Sequence, residues 1–314
     1  MLPMAFEVPF QKRVRMIVDT DCKNEADDQY ALVHHLLTPM FDVRCVIAAH
    51  FETEWKRYGE PNSTMRESMK EIRTVLDLMN LSHAPEIVPG ADRPLVDESA
   101  PVPSDGARRI IEEALKDDER PLFVALLGTA TDLASALLME PSIASRLTAV
   151  WIGGGAYPDG EWEFNLSQDR HAANVLFSSE MNLWQVPRNT YKQMNVTLSE
   201  LRLRVATQGE LGAYLFRQMV ELNDRLGENI GFPHGESWCL GDQPTVGLLL
   251  EDRGRQNYDL VPASRVAQDW RYLPGSSQRN IRVYHTLDVR MTMEDFYAKL
   301  ALHHLAEKER ISEE

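Results

Sequence analysis

Short apolar, β-branched-rich runs alternate with longer stretches of helical spacing, and this alternation limits the fold more than any other feature of the chain. Strands are predicted at 15–18, 43–48, 87–88, 122–127, 149–152 and 183–186, with helices at 28–37, 64–78, 106–116, 132–139 and 170–178 between them. Strand–helix–strand units of this kind close by right-handed crossovers, so the pattern predicts an α/β fold with a mostly parallel open sheet flanked by helices. From about residue 200 the spacing becomes more helical, interrupted by the Gly-rich GENIGFPHGESWCLGD and a long irregular stretch near 252–280. No repeat, low-complexity tract or linker divides the sequence. Residues 1–314, 43% of them hydrophobic, are therefore read as one domain with a large core.

Ligands of open parallel sheets bind beyond the carboxyl ends of the strands. The first predicted strand ends in DTDCKNEADD, residues 19–28, which holds four aspartates and a glutamate. Asp27 and Asp28 are accounted for at a helix N-terminus, where the dipole favours negative charge. Asp19 and Asp21 are not: alternate residues of a strand point the same way, and two like charges there repel. A cation would neutralise them, and all-oxygen donors suit Ca²⁺ or Mg²⁺ rather than zinc.

The 48 acidic and 33 basic residues leave a net charge of −15, the wrong sign for binding a nucleic-acid backbone. Three cysteines without a CxxC pair suggest neither a disulfide framework nor a thiolate zinc site. Cys22, flanked by carboxylates, is a poor thiolate nucleophile. With no leader-like N-terminus and no long apolar run, a cytoplasmic protein without membrane association is expected.

The segment DTDCKNEADDQYAL resembles the N-terminal signature of the calcium-dependent nucleoside hydrolases. Four later segments resemble that family in the same order: GADRPL (90–95), LLGTATDLASAL (126–137), AVWIGGGAYPDGEWEFNLSQDRHAANVLFSS (149–179) and GDQPTVGLLL (241–250). The resemblance implies hydrolysis of the N-glycosidic bond of a nucleoside or related riboside. It implies Ca²⁺ held by the side chains of Asp21, Asp28 and Asp242 and by the backbone carbonyl of Leu127. Asp27, Glu163 and Asn165 would hold the sugar. A water on the cation, deprotonated by Asp21, would attack the anomeric carbon. A homo-oligomer, dimer or tetramer, is expected.

The departures bear on the substrate. Five residues separate Asp21 from Asp27, two more than in the family pattern, so Asn24 and Glu25 either enter the site or only lengthen the turn. Gly241 stands where some members carry a histidine that protonates the leaving base. His234 and His50 are the candidate replacements, since a histidine donates a proton near neutrality. Trp162 and Trp238 offer faces on which a heterocycle can stack. Two other functions compete with this one. Asp19 and Asp21 form the D-x-D of a haloacid-dehalogenase-type phosphatase, although Lys23 replaces the expected Thr or Val. A non-catalytic, calcium-dependent ribose- or nucleoside-binding protein would explain a missing acid, but has no use for a water-activating base.

Overall fold

The computed structural model describes residues 6–227, 235–251, 254–273 and 279–313. In chain order the elements are β1 (Val14–Thr20), α1 (Asp28–Leu36), β2 (Phe41–Ala48), α2 (Thr64–Met79), β3 (Glu86–Pro89), α3 (Asp105–Leu115), β4 (Leu122–Leu126), α4 (Thr131–Met139), β5 (Leu147–Ile152) and α5 (Phe164–Gln168). They continue with α6 (Arg170–Ser178), β6 (Asn182–Val186), α7 (Arg188–Tyr191), β7 (Asn195–Thr197), α8 (Leu198–Arg204), α9 (Gly209–Arg225), β8 (Ser237–Cys239) and α10 (Pro244–Leu250). β9 (Asn257–Pro262), β10 (Arg265–Val266), β11 (Tyr272–Leu273), β12 (Asn280–Thr286) and α11 (Val289–Glu313) complete the order. Every strand and helix predicted from the alternation is present, displaced by at most two residues at an end.

The central sheet has eight strands in the order β3-β2-β1-β4-β5-β6-β12-β9, all parallel except β9, which pairs antiparallel with β12. β1 is buried along its whole length, and its apolar residues alternate between the two faces. Met16 and Val18 enter the core shared with α1, α2, α9, α10 and α11, while Ile17 enters the core shared with α3, α4 and α6. A parallel strand covered on both faces reads as a continuous apolar run, as VRMIV does.

The stretch near 252–280, expected to be irregular, carries β9, β10 and β11 instead. β9 is a largely exposed edge strand with no buried face to give it a periodic signature. In β12 the alternation was there to be read: Ile281 and Val283 are buried on one side and Tyr284 on the other.

Strand order reverses between β1 and β4, since the chain winds outward from β1 to β2 and β3 and then returns to start β4 on its other side. Such a reversal leaves a crevice at the carboxyl ends of the two strands. Asp21 leaves β1 there and Leu127 leaves β4 there. No helix among the described residues is long and apolar enough to cross a membrane.

Candidate active site

Asp21 follows β1 and lies against the end of β4. A Cβ on Gly128 would stand 2.6 Å from the Asp21 carboxyl carbon and 2.6 Å from Oδ1, so glycine lets the segments after β1 and β4 approach this closely. Asp21 is 2% exposed, and its Oδ2 has no hydrogen-bond partner. Asp28 opens α1 and accepts a short hydrogen bond from the Thr20 hydroxyl. Asp27 Oδ2 accepts the Gly241 N–H at 2.9 Å, which ties the start of α1 to the far end of the sequence and brings Asp242 into the crevice.

Carboxylate oxygens of Asp27, Asp28 and Asp242 lie within 4.8 Å of one another, and all three residues are buried. This trio differs from the expected Asp21, Asp28 and Asp242. The hydrogen bonds separate the roles: Asp27 is engaged by backbone N–H groups of Gly241 and Asp242, whereas Asp21 keeps an unpartnered buried oxygen. A buried oxygen without a donor is an expensive arrangement that a cation relieves. Asp21 therefore fits the donor set better than Asp27 does.

The electrostatics agree. Burial, followed by repulsion from Asp28, Glu25 and Asp27, holds the Asp21 carboxyl well above the usual range. Burial and Asp27 push Asp28 up to about 8, while burial raises Asp27 to about 6 against the lowering effect of its backbone donors. Asp242 is raised by burial and then by Asp27, Asp28 and Asp21. Like charges crowded out of water cannot all ionise without a counter-charge, and a divalent cation supplies one.

Glu163 and Asn165 close the crevice from the β5 side. Glu163 caps α5 by accepting the N–H groups of Asn165 (3.1 Å) and Leu166 (2.9 Å), and it also accepts Gly154 N–H (2.9 Å) and the Tyr191 hydroxyl (3.0 Å). Asn165 Nδ2 donates to the Leu127 carbonyl at 2.7 Å and to the Ile152 carbonyl at 2.9 Å. The carbonyl expected to meet the cation is thus fixed in place, with one lone pair still free. The space enclosed by these groups is about 50 Å³.

The insertion between Asp21 and Asp27 is a built turn. Lys23 adopts φ +92°, a left-handed conformation that costs a non-glycine residue about 1–3 kcal/mol. It is held by three contacts: Tyr58 Oη to the Lys23 carbonyl (2.9 Å), Arg57 to the Asn24 carbonyl (3.0 Å) and Lys23 Nζ to Glu71 (2.9 Å). Asn24 and Glu25 both line the cavity.

Other expected residues lie elsewhere. His50 is fully buried, bonded through Nε2 to Thr131 Oγ1 at 2.9 Å, and absent from the cavity wall. Burial pushes its ring down to about 3, so it stays neutral and is no proton donor to the cavity. Trp238 is 2% exposed and packs in the core beside the α1 face, which removes it as a stacking platform. Trp162 is 50% exposed and meets Phe164, a cavity residue, edge to face at 6.4 Å. His234 lies outside the described residues. Tyr191 is a cavity residue that sequence reasoning missed, since a single tyrosine in a short helix carries no motif.

Oxygen donors gathered at the strand-order reversal of a parallel sheet define an α/β protein with an acidic centre able to hold a metal ion. The chain belongs to the inosine-uridine preferring nucleoside hydrolase family, whose sequence model matches residues 16–297. It is 26% identical over 183 residues to the pyrimidine-specific ribonucleoside hydrolase RihA of Escherichia coli O127:H6, covering 51% of this chain and 56% of that protein. The match thus spans only about half the length of such curated relatives. In fold it resembles a purine-preferring ribonucleoside hydrolase from Gardnerella vaginalis (TM-score 0.74, 18% identity, 92% of this chain and 99% of that one). It also resembles an inosine-uridine preferring nucleoside hydrolase from Bacillus anthracis (TM-score 0.63, 16% identity, 92% and 99%).

Proposed function

We propose that this chain hydrolyses the N-glycosidic bond of a nucleoside or related riboside, using Ca²⁺ held by Asp21, Asp28, Asp242 and the Leu127 carbonyl. The unpartnered, buried Asp21 oxygen at the strand-order reversal carries this reading. Oxygen-only donors suit a hard divalent cation such as calcium. When bound, the cation would acidify a water and orient the sugar hydroxyls.

Asp21 takes the proton of the attacking water. The water oxygen bonds to the anomeric carbon as the C–N bond breaks, and the heterocycle leaves with the bonding pair. Asp27, whose Oδ2 is fixed by Gly241, turns its remaining acceptor capacity toward the sugar hydroxyls. The buried carboxylates stabilise the positive charge that develops on the sugar. Glu163, which accepts four hydrogen bonds, and Asn165, which donates two, set the crevice wall that the sugar meets. Trp162 offers its exposed face to the base. The chain is proposed to act as a single domain, to form a homo-oligomer and to work in the cytoplasm.

Three assays on calcium-loaded protein separate the alternatives: reducing sugar from uridine, inosine and nitrophenyl riboside, phosphate from phosphomonoesters, and equilibrium binding of ribose. Sugar release from nitrophenyl riboside is expected, because that leaving group needs no proton. Phosphate release, or ribose binding without any turnover, would displace the proposal.

A further inference from the structure

Glu163 is expected to hold the sugar, yet its acceptor capacity is already spent. Oε1 accepts the Asn165 N–H and the Tyr191 hydroxyl, and Oε2 accepts the N–H groups of Gly154 and Leu166. Two donors on each oxygen fill the lone-pair sites of a carboxylate. Burial raises the Glu163 carboxyl, and each of these donors works against the rise. A sugar hydroxyl therefore reaches Glu163 only by taking a donor's place. Three of the donors are backbone N–H groups, fixed by the turn after β5 and by the first turn of α5. The fourth is a side chain, and it is the one that can leave.

The Tyr191 bond is also the longest tyrosine-to-carboxylate bond among the described residues. It spans 3.0 Å, against 2.7 Å for Tyr297 on Glu200 and 2.5 Å for Tyr214 on Glu71. A hydroxyl on a carboxylate normally sits at about 2.5–2.7 Å. The backbone carrying Tyr191 is anchored: Thr190 Oγ1 donates to the Tyr284 carbonyl at 2.6 Å, and the Tyr191 carbonyl accepts the Cys239 thiol. The ring has room instead. A Cβ at Gly241 would lie 3.0 Å from Tyr191 Cδ2 and 3.6 Å from Cε2, so the side chain that Gly241 lacks leaves space into which the ring can tilt. Burial, then Glu163, holds the phenol well above its usual range, so the hydroxyl keeps its hydrogen.

We infer that Tyr191 is a substrate-binding residue: one sugar hydroxyl inserts between Tyr191 and Glu163, donating to the carboxylate and accepting from the phenol. A hydroxyl donates and accepts at once, so one hydrogen bond is exchanged for two. The inference rests on the hydrolase reading above for its ligand, a riboside, and names the group that admits the sugar.

The test uses calcium-loaded protein, nitrophenyl riboside and the three analogues that each lack one sugar hydroxyl. Tyr191→Phe keeps the ring and removes the hydroxyl. On nitrophenyl riboside its kcat/KM should fall about fivefold, the worth of one neutral hydrogen bond. On one analogue, the one lacking the inserting hydroxyl, the loss should shrink below about twofold. Calorimetry should show ribose binding about fivefold weaker in Tyr191→Phe. A tyrosine that merely braces Glu163 lowers all four substrates alike. One that merely competes with the sugar gives tighter binding once its hydroxyl is gone. Either result, or no change at all, would overturn the inference. If nitrophenyl riboside is cleaved with such a result, Tyr191 loses its role and the hydrolase reading stands. If no riboside is cleaved but ribose binding weakens in Tyr191→Phe, the hydrolase reading falls and Tyr191 keeps its role. If there is neither cleavage nor ribose binding, both fall.

Discussion

Stripping the cation with EDTA and melting the protein at about pH 6.5 and pH 8 measures the crowding in the acidic centre. Burial, then Asp27, raises the Asp28 carboxyl from 3.8 to about 8 in the folded chain. A group raised in this way contributes stability that is complete below its unfolded value and is lost as pH climbs through the folded one, a window from about 4 to about 8. His35 and His50 run the opposite way. Burial pushes both down to about 3, so their contribution is lost as pH falls from about 6.5 to 3. Above about pH 6.5 the histidine contribution is complete and no longer changes, so the carboxylates are read alone. At 1.36 kcal/mol per unit, Asp28 by itself costs the cation-free protein about 2 kcal/mol between pH 6.5 and 8. For a chain of this size that is about 3 °C in Tm. With calcium bound as proposed, the cluster is ionised throughout, so the stabilising shift on adding calcium should grow with pH by the same amount. If the EDTA-treated protein melts identically at both pH values, or calcium raises Tm equally at both, the reasoning about the cluster is wrong.

Gly128→Ala should displace Asp21, because the new Cβ would lie 2.6 Å from its carboxyl group. A loss of about 10²-fold in turnover and weaker calcium binding by calorimetry are expected, with only about 1–3 kcal/mol of stability lost; unchanged calcium affinity would refute the close approach. His50→Ala should cost about 1–3 kcal/mol in denaturant unfolding, since it strips Thr131 of a buried partner, while the pH profile of turnover keeps its shape. A lost basic limb in that profile would restore His50 as the acid.

The fold could be read in the sequence because its signal is periodic. VRMIV and the runs like it are buried on both faces of the sheet, and the helices between them were located to within two residues. β9 escaped because an edge strand with most of its residues exposed has no apolar alternation. Asp21 was legible because a helix N-terminus explains Asp27 and Asp28 but not an aspartate at the strand end; Asp19, read with it as one pair, does not line the cavity and instead feels Asp132. The bond from the Gly241 N–H to Asp27 was not legible, since it joins residues 214 positions apart. Nor could residue type alone show that His50 and Trp238 face inward: a strand-end histidine and a loop tryptophan look the same in sequence whether they line a cavity or fill a core. The turn at Lys23 gave no cue either, because a left-handed backbone is expected at glycine or asparagine rather than lysine.

The central claim is that Asp21 acts as the base in a calcium-assisted cleavage of a riboside, and Asp21→Asn tests it most directly. The variant keeps the shape of the side chain and removes its charge. With nitrophenyl riboside and saturating calcium, kcat should fall at least about 10³-fold. In EDTA the variant should melt no lower than the wild type, because a raised, crowded carboxylate has been taken out of the cluster. A variant that turns over at the wild-type rate contradicts the account.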